Sequence, residues 1–358
     1  MIRFAPVLVR RAPVWLLVLL LSGASLGPTP SVARVRGARH CDGVRVGARE
    51  SIQLVMSRHD SGTTYCLAAG TFRVTSTIMT DAGDRVIGAG RNATFIDGSG
   101  LPETAVGIFH ISASAYFSHF DISGAPTPTV GSGVFCSAAR SRCGRAFHIG
   151  SQSLTLRSID CHDNGSNCVG GGGNADVVAS GIDCYHNGNA YSMSSSFRSA
   201  ACIKRAAIYS SSGNTTVTNS YIHDNPWVGL WCDHCKYGAF SIRKNRIIHN
   251  GANGIQWEMS GGWTSHDRAI IRNNVIRRNN YRVEESFRGG ISVSTANDVV
   301  VERNVFGGNF VAGVNVIFTS SRNAPQPDSR GVVVKDNVMK GDVTVGCSLD
   351  GVTCNDNN

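Results

Sequence analysis

Val217-Thr218-Asn219-Ser220-Tyr221-Ile222-His223-Asp224-Asn225 is followed by Val228-Gly229-Leu230-Trp231-Cys232-Asp233. The pattern then recurs as Ile242-Arg243-Lys244-Asn245-Arg246-Ile247-Ile248-His249-Asn250 with Asn253-Gly254-Ile255-Gln256-Trp257-Glu258. A third unit runs from Ile271-Arg272-Asn273-Asn274-Val275-Ile276-Arg277-Arg278-Asn279 and resumes at Gly289-Gly290-Ile291-Ser292-Val293-Ser294. Asn225 and Asn250 are 25 residues apart, and Asn250 and Asn279 are 29 apart. Each unit holds two short alternating runs rich in Val and Ile, the chemistry of strands, with an Asn and a Gly between them. A repeat of this length marks a solenoid, propeller or array. The unit is too short for a four-stranded blade and lacks helical periodicity. It is one coil of a parallel β-helix.

Outward from this stretch, Asn164, Asn187, Asn225, Asn250, Asn279 and Asn309 each close a strand before a turn. Asn tolerates the left-handed backbone of a tight corner, and stacked amides can bond to one another from coil to coil. Asn245, Asn274, Asn304 and Asn337 form a second column. Fixed register turns ordinary turn asparagines into two predicted ladders. Parallel crossovers are right-handed almost without exception, so the expected fold is all-β: a right-handed parallel β-helix of about ten coils. A short N-terminal cap helix within Glu50 to His59 would cover its open end.

The domain reading is a signal peptide at 1–33, an N-terminal segment and cap at 34–60, the β-helix at 61–346 and a C-terminal tail at 347–358. Arg3, Arg10 and Arg11 precede an apolar run from Val14 to Leu21 and a small-residue cleavage site at Ser31-Val32-Ala33. This is the pattern of a secretory signal, and eight apolar residues are too few to span roughly 30 Å of hydrocarbon. Cleavage after Ala33 would take the net charge from +9 to +6, since three Arg leave and no acid does. Twelve cysteines agree with export to an oxidising compartment. Cys41 with Cys66, Cys136 with Cys143, and Cys347 with Cys354 are local pairs. Cys161, Cys168, Cys184 and Cys202 admit more than one pairing. Cys232 and Cys235 read as a tight disulfide, and the export signal disfavours a thiol-redox or zinc site beside His234 and His223.

The opening coils contain Gly62-Thr63-Thr64-Tyr65-Cys66-Leu67-Ala68-Ala69-Gly70-Thr71-Phe72, then Asp84-Arg85-Val86-Ile87-Gly88-Ala89-Gly90 and Thr94-Phe95-Ile96-Asp97-Gly98. With the Asn-ladder coils, this resembles the pectin-lyase-like superfamily of right-handed parallel β-helix proteins over residues 50 to 345. The resemblance implies fold more than activity, because lyases, hydrolases, epimerases and phage tailspikes share it. The paired-aspartate signature of polygalacturonases and a pectate-lyase calcium cluster are both missing from the sequence. The coils around Trp231 and Trp257 are instead similar to a group of exported bacterial β-helix proteins.

Strand alternation gives a candidate site. With Leu230, Cys232, Ile255 and Trp257 inward, Trp231, Asp233, Gln256 and Glu258 point outward. Aligning Ala200 to Lys204 with Gly229 to Asp233 puts Lys204, Asp233 and Glu258 in one column, above a bare floor at Gly170 to Gly173. Three readings compete: a salt-bridged stripe, a carbohydrate site with Trp231 as sugar platform, and a Ca²⁺ site at Asp233 and Glu258. The expected catalytic residues are Lys204, Asp233 and Glu258, and the expected substrate-binding residues are Trp231, Gln256 and His223. His162, His186, His223 and His249 all sit near Asn corners, and His223 lies nearest to the site in sequence.

Lys204 as base, its pKa lowered by Arg205 or Ca²⁺, would serve β-elimination on an acidic polysaccharide. Glycoside hydrolysis by the carboxylate pair is the competing chemistry. The rival class is a non-catalytic glycan-binding or cell-envelope scaffold. Nucleic acid is not an expected partner, because the positive charge is mild and no basic patch laced with aromatics stands out. No segment after the signal is apolar enough to cross a membrane.

Overall fold

A computed structural model describes residues 41–127, 143–150, 152–171, 174–188, 200–206, 213–233, 238–258, 268–282, 289–294, 296–317 and 330–358. The signal peptide reading at 1–33 lies outside these residues. The described chain falls in one compact unit, Arg39–Asn358. Every strand pairs in parallel with its counterpart one coil away, forming a 10-stranded and a 20-stranded sheet. A typical coil supplies Thr215–Thr218 and Tyr221–His223 to the wide sheet and Val228–Asp233 to the narrow one. Ten strands in the narrow sheet agree with the ten coils expected.

Alternation drives the assembly. Burial along Ala239–Arg243 and Arg268–Arg272 switches residue by residue, because inward Val, Ile and Phe line the solenoid interior. In the early coils Phe109, Phe117 and Phe147 pack with ring centroids 4.7 to 5.7 Å apart. The cap is a single short helix, α1 (Ile52–Met56), shorter than the segment that could form it. Ser51 caps its first turn by accepting from the Leu54 N–H, and Ile52 and Met56 are its buried residues.

Both ladders are present. Nδ2 of Asn225 donates to Asn250 Oδ1 at 3.0 Å, Asn250 to Asn279 at 2.9 Å, and Asn279 to Asn309 at 3.0 Å. Each amide also reaches a carbonyl of the preceding coil, as Asn250 does to Ile222 O. The first ladder ends on Asp342, whose carboxylate accepts from Asn309 at 2.6 Å. An acceptor-only side chain suits the last rung, where no further amide needs a donor. The second runs Asn245, Asn274, Asn304, Asn337 and ends on Asn357.

One detail differs from expectation. The ladder asparagines are not the left-handed residues; their predecessors are. Asp163, His186, Asp224, His249 and Arg278 have φ between 49° and 57°. Bending one residue early leaves each Asn directed inward, where its amide is buried and bonded.

Disulfides join Cys41 to Cys66, Cys161 to Cys168, Cys184 to Cys202 and Cys347 to Cys354. The ambiguous four thus pair within their own coils, each bridging the corner between a wide-sheet and a narrow-sheet strand. Cys161 stacks on Cys184 in register. Cys143 and Cys232 are also disulfide-bonded, while Cys136 and Cys235 lie outside the described residues. No free cysteine remains among the described residues, which suits an oxidising compartment.

Candidate functional site

The narrow sheet holds the predicted cluster, with one change of register. Lys204 pairs with Trp231, not Asp233, and Trp231 pairs with Gln256. Asp233 and Glu258 pair as expected, and the next coils put Ser294 and Ile317 in their column. Lys204 therefore sits one column over and reaches across. Its Nζ lies 3.5 Å from Asp233 Oδ2 and 3.5 Å from the centroid of the Trp231 ring.

Behind this pair the polar groups saturate each other. The Trp231 indole N–H donates to Glu258 Oε1 at 2.9 Å, and Gln256 Nε2 donates to Oε2 at 2.9 Å. Asn253 Nδ2 donates to Gln256 Oε1 at 3.0 Å, and its Oδ1 accepts from the Gly289 N–H. Trp231 is 9 % exposed and packs with Ala201, Val228 and Ala252 in a small apolar cluster outside the main core. This corrects its expected role. The ring already carries a lysine on its face and offers no open platform to a sugar. Gln256, 5 % exposed, and Glu258, 7 % exposed, likewise support the site from behind.

The glycine floor is not bare. Arg145 and Asn167 lie over Gly170; a Cβ there would meet Arg145 Nε at 2.6 Å and Asn167 Nδ2 at 2.8 Å. Arg145 Nη1 contacts His148 Nδ1 at 2.6 Å, and the His110 and His148 rings meet edge to face at 4.9 Å. Since arginine only donates, His148 Nδ1 accepts and its proton rests on Nε2. One column thus runs His110, His148, Gly170, Lys204, Trp231, Gln256, Ser292. Its earlier coils are basic, and the adjoining column beyond Lys204 is acidic.

Burial pushes the Lys204 amine below the usual lysine value; Asp233 and Glu258 pull it back, while Arg145 pushes it further down. Burial and the nearby Asp233 raise the Glu258 carboxyl, against the bonds from Gln256 and Trp231 and the charge of Lys204. Arg145 is the cation beside Lys204. Arg205, expected in that role, alternates inward, is 1 % exposed and donates to Ala175 O inside the solenoid.

The donor set does not suit Ca²⁺. Both Glu258 oxygens already accept N–H bonds, and the Lys204 ammonium stands beside Asp233. Among the described residues no group of three or more His, Cys, Asp or Glu is placed to hold a metal.

His223 lies elsewhere, on the wide sheet. Its Nδ1 pairs with Asp224 at 2.6 Å and its Nε2 with Asp183 at 2.9 Å. Two coils earlier His162 repeats this with Asp163 at 2.7 Å and Asp121 at 2.8 Å. Tyr185 stacks between the two imidazoles, at 4.7 and 5.1 Å. Asp121, Asp160 and Asp183 share a column in consecutive coils, and Arg91 pairs with Asp160 at 2.9 Å. Sequence reasoning missed this acidic cluster, although Phe120-Asp121-Ile122, Ile159-Asp160-Cys161 and Ile182-Asp183-Cys184 repeat the signal.

Burial alone would lower the His162 pKa, but the bonds to Asp121 and Asp163 raise it to about 9. A folded value above the unfolded one, about 6.5, gives stability that is whole below that pH. It is lost as pH rises through about 9. Urea unfolding should show wild-type stability falling across this window by on the order of 2 kcal/mol. His162→Gln should flatten the decline, and an equally steep fall in that variant would refute the assignment.

Residues 195–327 match the family described as the right handed beta helix region. No curated protein matches the sequence. Among solved structures, the chain is similar to PfbA, a surface adhesin of Streptococcus pneumoniae. The identity is 14%, over 84% of this chain and 76% of that one, with a TM-score of 0.58. It is also similar to pectate lyase Pel9A, at 16% identity over 86% of this chain and 77% of that one, TM-score 0.51. The A-module of mannuronan C-5 epimerase AlgE6 from Azotobacter vinelandii aligns at 12% identity, over 86% and 93% of the two chains, TM-score 0.50. At such identities the likeness is one of fold. The protein has the right-handed parallel β-helix, pectin-lyase-like fold. No helix among the described residues is long and apolar enough to cross a membrane.

Proposed function

We propose that this is an extracellular carbohydrate-active β-helix protein that cleaves an acidic polysaccharide by β-elimination on the narrow sheet. One observation carries the reading: a desolvated lysine, held 3.5 Å from Asp233, adjoins a basic floor formed by Arg145 over Gly170. Elimination needs a base for the proton beside the uronate carboxylate and a cation to stabilise the enolate. A uronate laid on the Arg145 guanidinium that covers Gly170 has the Lys204 strand one spacing away on one side and the His148 strand one on the other, together roughly 10 Å. Arg145 neutralises the carboxylate. The Lys204 amine takes the α-proton while the bond to the glycosidic oxygen at the β-carbon breaks, leaving a carbon–carbon double bond. His148 Nε2–H donates a hydrogen bond to the departing oxygen, which takes its proton from water. Asp233 positions the amine, and Glu258 and Gln256 position Trp231 beneath it.

The reading is supported by the charge layout and is consistent with the activities of the pectate lyase and the epimerase whose fold is similar. The saturation of Trp231, Gln256 and Glu258 favours a second reading, a glycan-binding scaffold, in which the same network only stiffens the sheet. Incubation with uronate polymers separates them. Elimination yields an unsaturated, ultraviolet-absorbing end with each new reducing end. Reducing ends without absorbance mean hydrolysis, and neither signal on any uronate polymer leaves the scaffold.

A further inference from the structure

The wide sheet changes charge along its length. Its middle coils hold the Asp–His cluster described above, whereas its later coils present cations. Arg243, Arg272 and Lys335 stand in one outward column, with Glu302 between the last two. Glu302 lies 3.8 Å from Arg272 and 3.7 Å from Lys335, so one carboxylate serves two cations. At the adjoining left-handed corner the same coils place Lys244 and Arg303, with Asp336 beyond. On the next strands Arg277 and Lys340 share a column across Gly307. Arg246 lies over the Tyr221 ring, 5.1 Å away. Among the described residues Arg243, Arg277 and Arg303 have no ion pair.

Adjacent rows on such a sheet are about 4.8 Å apart, and like charges at that spacing repel. The fold accepts that cost in several neighbouring coils with little internal neutralisation. A ligand bearing repeated negative charge would remove the repulsion and gain further from released counterions. Nothing in the narrow-sheet site requires these residues, which lie on a different sheet.

We propose that this face is a second binding surface that holds a linear acidic polysaccharide along the solenoid axis, apart from the Lys204 strip. The partner class rests on the function proposed above, while the binding surface does not. A polysaccharide suits the face better than nucleic acid does. Apart from Tyr221, whose ring Arg246 covers, outward neighbours of the cations are aliphatic, among them Ile248, Ile270, Val275 and Val300. They give unstacked bases no aromatic platform.

The test uses Lys204→Ala protein, so that the polymer survives, titrated with polygalacturonate at two salt concentrations. Adding Arg243→Gln, Arg272→Gln and Arg277→Gln should weaken binding about tenfold or more and flatten its salt dependence. Circular dichroism should stay unchanged and the melting midpoint should not fall, since these side chains lie on the outer face and three mutually repelling charges leave it. Equal affinity with and without the three substitutions overturns the proposal. So does tighter binding of a short duplex DNA, or of phosphatidylglycerol vesicles, that the same substitutions abolish. Absence of any elimination activity in the wild-type protein, with this binding intact, would sink the proposed reaction and leave the second surface standing.

Discussion

Lys204→Ala is expected to reduce turnover on a uronate polymer by about 10³-fold, with KM changed far less. Among the described residues of the strip, the amine alone is desolvated, cationic when protonated and backed by a carboxylate that fixes its position. Removing it takes away a transition-state interaction and leaves the Arg145 floor that holds the substrate carboxylate. Glu258→Gln should behave differently. The amide can still accept from one donor, so the Trp231 ring shifts and turnover drops by roughly tenfold rather than a thousandfold. Steady-state kinetics on both variants check this. A Lys204→Ala protein with near wild-type turnover would show that the lysine only neutralises Asp233.

Asn250→Ala is the substitution with the largest expected effect on stability. Asn250 is fully buried, accepts from both the backbone and side chain of Asn225, and donates to Ile222 O and Asn279 Oδ1. Alanine would leave a buried N–H and a buried carbonyl without partners, at about 1–3 kcal/mol each. A loss of about 3 kcal/mol or more in urea unfolding is expected, because the ladder bonds reinforce one another. Asn250→Asp should be at least as damaging, since a carboxylate cannot donate to either neighbour. At Asp342 the same side chain is tolerated because the ladder ends there. A loss under 1 kcal/mol for Asn250→Ala would mean that water replaces the amide and the ladder is not a source of stability.

The coil repeat and both ladders were legible because they depend on local pattern: inward Val and Ile, and one amide per corner. Register was less so. Shifting Lys204 by two residues leaves every side chain on the same face, so period-two alternation cannot tell the Asp233 column from the Trp231 column. Only the paired strands resolve it. Alternation also says which way Trp231 points but not what covers it, and Lys204, Glu258 and Ala252 supply that cover. Arg145 escaped notice because it acts from two coils away over a residue with no side chain. The left-handed corner residue was unreadable for a different reason. Asp, His, Lys and Arg all occupy it, so no residue type marks it. His223 was assigned to the site by sequence proximity, yet a corner separates the sheet holding Tyr221–His223 from the one holding Val228–Asp233.

The pH dependence of kcat/KM on a uronate polymer tests the role of Lys204 most directly. A neutral amine must accept the proton, so kcat/KM should rise with pH and level off above the Lys204 pKa, which burial holds below the usual lysine value. Asp233 raises that pKa, so Asp233→Asn should move the rising limb to lower pH. A limb that stays in place or moves to higher pH in Asp233→Asn, on protein that yields the unsaturated product, would contradict Lys204 as the base.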